Sequence, residues 1–124
     1  MDSLAEVFAD VVQYDQIENG QTKIAALCDK MMAAHLGSPL KRLAYVFLNQ
    51  TDENCTDVSY NGFLKKYRNV SWDSPAATNG MRQWFHQTCT EYGYYQTSNS
   101  DKSIFGTLFP INYYINLCID LYGD

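Results

Sequence analysis

Apolar residues recur at three- and four-residue steps through the first 48 positions, the spacing of amphipathic helices. From Ser3 to Tyr14 the stripe is Leu4, Val7, Phe8, Val11 and Val12, and Ser3 with Glu6 makes a capping box. "DQIENGQ" breaks the pattern at Asn19-Gly20. Thr22 caps a second helix with Ile24, Leu27, Cys28, Met31 and Met32 on one side, and Gly37 stops it. Ser38-Pro39 opens a third, with Pro at its first position and Leu40, Leu43, Ala44 and Phe47 facing inward.

Beyond Asn49 the organisation changes. "NQTDENCT" reads as a polar loop and Thr56 to Tyr67 as a fourth helix, with Tyr60, Phe63, Leu64 and Tyr67 on one side and Gly62 weakening it. "NVSWDSPAATNG" reads as a loop or linker. The segment from Met81 fits a strand, an irregular stretch or a short helix, because Trp84, His86 and Thr88 alternate with Phe85, Gln87 and Cys89. A final short helix covers Tyr113 to Leu121, with Pro110 near its start. The helices of residues 1–48 form one unit, and residues 49–124 belong to another.

At 124 residues the chain is long enough to bury a core. A net charge of −5 with no basic stripe argues against a nucleic-acid partner; Lys41-Arg42 and Lys65-Lys66-Tyr67-Arg68 are short clusters of the kind found on solvated helix faces. No stretch approaches the roughly 18 to 20 apolar residues that span a bilayer, so no membrane segment is expected. Three N-x-S/T sequons at Asn49, Asn54 and Asn69, beside four cysteines, favour an oxidising compartment. The acidic start "MDSLAEVFADVV" is unlike a signal peptide. A secretory composition without a leader suggests a piece of a longer protein.

"QWFHQTCTEYGYYQT", Gln83 to Thr97, holds a His, a Cys, a Glu and five aromatic residues without one aliphatic side chain. His86, Cys89 and Glu91 do not make a nucleophilic constellation, because residues at that spacing do not converge within hydrogen-bond reach. A structural disulfide is the simpler role for Cys89. His35 and His86 are far apart and no C-x-x-C pair exists, so no zinc site or other cofactor is expected. Gly37-Ser38 is not part of a nucleophile elbow, since G-x-S-x-G is absent. Met31-Met32 reads as core packing or a contact surface, not a cofactor box.

The longer block "MRQWFHQTCTEYGYYQT" resembles a signature of the serine exopeptidases that include lysosomal Pro-X carboxypeptidase, dipeptidyl peptidase II and thymus-specific serine protease. Trp84, Gln87, Thr88, Cys89, Thr90, Glu91, Tyr92, Gly93 and Thr97 match it, and Tyr95 matches less strictly. "FGTLFPINYYINLCIDLYGD" is similar to the family's next block, and "AEVFADVVQYD" and "IAALCDKM" to its earlier ones.

The resemblance implies a mainly α chain: the end of a helical cap insertion (1–48), then the return into an α/β-hydrolase domain (49–124), incomplete. The Ser, Asp and His of the family's triad would lie outside the chain, which leaves no catalytic residue in it and no activity alone. The aromatic run becomes a wall of a pocket for a peptide substrate, with Glu91, Tyr92 and Tyr94 as substrate-binding residues. Glu91 either receives a substrate's amino terminus or is a buried acid bonded to backbone amides. A secreted or lysosomal location and a homodimer follow from the same likeness.

Four cysteines permit three full pairings. The resemblance implies Cys89 with Cys118, while Cys28 and Cys55 pair with cysteines outside the chain; a Cys28–Cys55 bond is the alternative. A rival reading of the whole is a non-catalytic, secreted, disulfide-containing helical module that binds a partner through its aromatic face. A cytosolic binding protein with free thiols is a third.

Overall fold

A computed structural model describes residues 2–50, 55 and 57–123. The chain divides into two compact units, residues 2–56 and 57–124. Among the described residues the structure is mainly helical, with strand confined to one two-stranded hairpin.

In the first unit α1 (Asp2–Gln13) leads into β1 (Ile17–Glu18) and β2 (Gln21–Thr22), then α2 (Lys23–Met32), a 3₁₀ turn (Ala34–Leu36) and α3 (Pro39–Gln50). Helix α1 already includes Asp2, so Ser3 lies inside it and the Ser3–Glu6 capping box does not form. Asn19-Gly20 does more than interrupt. Both residues take positive φ, 52° and 81°, the requirement of the tight hairpin turn that pairs Ile17 with Thr22 and Glu18 with Gln21. Thr22 caps α2, its hydroxyl accepting from the Ala25 amide at 3.1 Å. Gly37, at φ 99°, closes the turn that follows.

The core of this unit is Val7, Leu27 and Val46, with Phe8, Val11, Met31 and Phe47 packed around it. Several expected inward residues point out instead. Val12, Met32 and Leu40 are well exposed, and Cys28 is an exposed thiol. The period of each helix is right; the face that packs is rotated, so that in α3 Val46 rather than Leu40 or Ala44 is buried.

The second unit holds α4 (Tyr60–Tyr67), α5 (Pro75–Thr78), α6 (Met81–Gln87), a π-helical turn (Thr88–Tyr92) and α7 (Ile111–Tyr122). Helix α5 lies inside the stretch expected to be loop. Ser74 caps it by accepting from Ala77 N, with Pro75 at its first position. Leu64, Tyr67, Ala76, Tyr114, Leu117 and Leu121 form the core, joined by Phe63, Phe85 and Tyr95. Phe63, Tyr67 and Phe85 meet as a trio of rings with centroids 4.4–5.2 Å apart. Such ring contacts stabilise by about 0.5–1.5 kcal/mol beyond the area they bury.

Candidate substrate-facing site

Residues 93–97 of the aromatic run are irregular, and from Met81 to Tyr92 the run takes the short-helix reading. This part is helix α6 continued by one π turn, closed by the Gly93 amide donating to Thr88 O at 2.9 Å. A π turn widens the helix by one residue and re-aims the side chains beyond it. Threonine hydroxyls support it locally: Thr88 donates to Phe85 O at 2.9 Å and Thr90 to His86 O at 2.8 Å. Two consecutive positive-φ residues end it, Gly93 at 70° and Tyr94 at 54°. For a bulky residue such as Tyr94 this is an uncommon and strained conformation.

The chain is anchored here from below. Cys89 is bonded to Cys118 of α7, with Cα atoms 5.5 Å apart. Tyr95 stacks on Tyr114 at 4.6 Å with ring planes 11° apart, and its hydroxyl oxygen lies 3.0 Å from Cys118 Sγ. Tyr114 in turn donates to Gln96 O at 2.9 Å. One edge of the run is therefore fixed to α7 through a disulfide, a ring stack and a hydrogen bond.

The other edge faces solvent. Tyr92 and Tyr94 are 62% and 63% exposed, and Trp84 meets Tyr94 edge to face at 6.4 Å. Trp84 and Tyr94 thus make an open aromatic corner. Glu91, in the same π turn as Tyr92, is exposed rather than buried among the described residues. Sequence reasoning does not place Trp84 among the candidate site residues, although it lies in the same aromatic run and matches the family signature.

His86 and Cys89 both meet α7, Cys89 through its disulfide and His86 through a ring contact. The imidazole packs edge-on against Tyr122 at 5.1 Å, where Arg82 also lies over the Tyr122 ring and Tyr122 donates to Arg82 O at 2.8 Å. Burial raises the Tyr122 phenol above its ordinary value, with the Arg82 charge opposing it and Tyr95 adding to it. Held in a disulfide, Cys89 has no thiolate for nucleophilic work. Cys28 and Cys55 are exposed and unpaired with each other. Among the described residues no group of three or more His, Cys, Asp or Glu could hold a metal ion, and no helix is long and apolar enough to cross a membrane.

Asn49 and Asn69 are exposed. Asn49 sits in the last turn of α3 rather than in a loop, its amide donating to Tyr45 O at 2.7 Å. Asn69 accepts from the Ser71 amide at 3.0 Å in a turn. Asn54 lies outside the described residues.

Comparison with known proteins identifies the pattern. The family described as Serine carboxypeptidase S28 matches residues 2–124. Human thymus-specific serine protease is 26% identical over 129 residues, covering 98% of this chain and 24% of its own length. The mouse protein of the same name is 25% identical over 130 residues, covering 98% of this chain and 25% of its own. A relative from Caenorhabditis elegans is 35% identical over 94 residues, covering 69% of this chain and 18% of its own. The chain spans about a quarter or less of these relatives. No solved structure matches it.

Proposed function

The chain belongs to the serine carboxypeptidase S28 family, and we propose that it is a segment of such a peptidase, supplying helical cap and substrate-pocket wall. In this reading the first unit is the end of the cap and the second leads back into an α/β-hydrolase domain. The triad that cleaves the peptide belongs to parts of the fold outside residues 2–124.

The observation that carries the proposal is a family match over nearly the whole chain, in a sequence with no G-x-S-x-G elbow. Site geometry supports the pocket-wall role. Pockets for small apolar groups are lined by aromatic surface with a few placed polar groups. Trp84, Tyr92 and Tyr94 offer such surface on a disulfide-anchored base, and Glu91 is the exposed charge next to it. Glu91, Tyr92 and Tyr94 contact the peptide, with Glu91 receiving a substrate's amino terminus. The parent enzyme is an exopeptidase of the prolyl carboxypeptidase or dipeptidyl peptidase type, secreted or lysosomal, and forms a homodimer. Asn49, Asn54 and Asn69 carry glycans, and Cys28 and Cys55 pair with cysteines of the rest of the enzyme.

The test is chemical. The purified 124-residue chain is incubated with a fluorophosphonate and with chromogenic prolyl and dipeptidyl substrates. Neither labelling nor turnover is expected, because no Ser–His–Asp set can be assembled from its residues. Stoichiometric labelling accompanied by turnover contradicts the proposal.

A further inference from the structure

Helix α7 is apolar on two sides. Tyr114, Leu117 and Leu121 face the core of its unit, while Ile111, Ile115 and Ile119 are 40%, 47% and 49% exposed. The three isoleucines follow at four-residue steps, the spacing of a ridge on a helix surface, and run for about 12 Å along the axis. The helix INYYINLCIDLY has one charged residue, Asp120. That carboxylate accepts from the Tyr60 hydroxyl at 2.5 Å and lies 3.8 Å from the Arg68 guanidinium, so it is already engaged. Beside the ridge, Ile119 also lines a shallow hollow of about 280 Å³ with Tyr60, Tyr113, Asn116 and Asp120. A surface helix carries polar residues opposite its core stripe; α7 confines these to the exposed row Asn112, Asn116 and Asp120 and sets a second apolar row beside it, the pattern of a helix packed on two sides.

We propose that the Ile111–Ile115–Ile119 ridge is an internal packing surface, covered by an apolar helix or strand face from a part of the peptidase fold outside residues 2–124. The inference rests on the reading of the chain as a segment of that fold. Length identifies the occupant. The chain corresponds to 24% of the human thymus-specific serine protease, so most of that relative lies beyond the match, and a core helix needs a neighbour from it. Ridges at four-residue spacing seat in the grooves of a second helix, and the hollow beside Ile119 gives such a partner relief to enter.

The experiment presents the chain to that remainder. Human thymus-specific serine protease is expressed without the matched quarter and immobilised. The chain, the variant Ile111→Ser/Ile115→Ser/Ile119→Ser and the single variant Ile115→Glu are passed over it. Circular dichroism checks the helices of each variant, and Ile115→Glu carries the comparison if the triple variant loses them. Ile104→Ser, at a position 88% exposed, is the control. The chain and the control are expected to be retained, with the ridge variants at least tenfold weaker. Equal retention of chain and folded ridge variants overturns the inference and leaves the segment reading standing. Retention of none overturns both. A concentration-dependent dimer in sedimentation, abolished by the ridge variants, overturns it in favour of a second copy. Equal retention of a shortened chain that ends before residue 57 overturns it by assigning the contact to the first unit.

Discussion

The Tyr60 hydroxyl donates to Asp120 Oδ2 at 2.5 Å, joining two helices 60 residues apart in sequence. Burial first, then this hydrogen bond and the Asp120 charge, push the phenol up to about 12. Because the folded value lies above the unfolded value of about 10, the interaction stabilises fully below pH 10. It is lost as pH rises from there through 12. Denaturant unfolding of the chain should show a fall in stability over that window. Tyr60→Phe should flatten the fall and cost about 1 kcal/mol at pH 7.

Reduction should loosen the second unit more than any single side-chain change. Cys89 and Cys118 are 29 residues apart, and a loop of that size corresponds to about 3–4 kcal/mol in the chain-entropy model. Unfolding with and without a thiol reductant, compared with Cys89→Ser/Cys118→Ser, measures it. The double variant should match the reduced chain and be insensitive to reductant.

Gly62 of α4 lies directly against the Asp57 side chain. A Cβ there would stand 2.0 Å from Asp57 Oδ2, and Asp57 Oδ1 accepts from the Ser59 amide at 2.9 Å. Alanine gains about 1 kcal/mol of helix propensity over glycine, but Asp57 must swing away and give up that bond. Gly62→Ala should therefore be near neutral in the parent chain and stabilising by about 1 kcal/mol in an Asp57→Ala background. Equal effects in both backgrounds contradict the close approach.

Much of the local structure is legible where one residue has one job. Thr22 as a cap, Pro39 at a first helical position and the turn at Asn19-Gly20 all follow from local chemistry. Ser74-Pro75 carries the same signal for α5, but the polar, turn-rich residues around it make the stretch read as loop. Which face packs is harder: α3 offers Leu40, Leu43, Ala44, Val46 and Phe47, and periodicity alone does not choose Val46. The π turn at Thr88–Tyr92 leaves no period to find, since its one extra residue shifts the helical register. In the candidate site the aromatic run itself is visible, but the Trp84–Tyr94 corner exists only because Tyr94 takes a positive φ.

That backbone gives a stability–function contrast. Glycine adopts φ near 54° without the cost that an L side chain meets, about 1–2 kcal/mol. Tyr94→Gly should raise the unfolding midpoint of the chain, offset in part by the lost Trp84 contact. The same change in a full peptidase should lower substrate affinity. A variant less stable than the parent contradicts the strain.

The pocket wall is tested most directly by kinetics in a complete enzyme. Human thymus-specific serine protease is built with its matched stretch replaced by this chain, and Glu91→Gln, Tyr92→Ala and Tyr94→Ala are compared within it. Peptide kcat/KM and the rate of labelling by a small fluorophosphonate are measured side by side. The account predicts a loss of tenfold or more in kcat/KM for at least Tyr92→Ala and Tyr94→Ala, with labelling of the active serine unchanged. Peptide kinetics that match the unsubstituted enzyme in all three variants would contradict it.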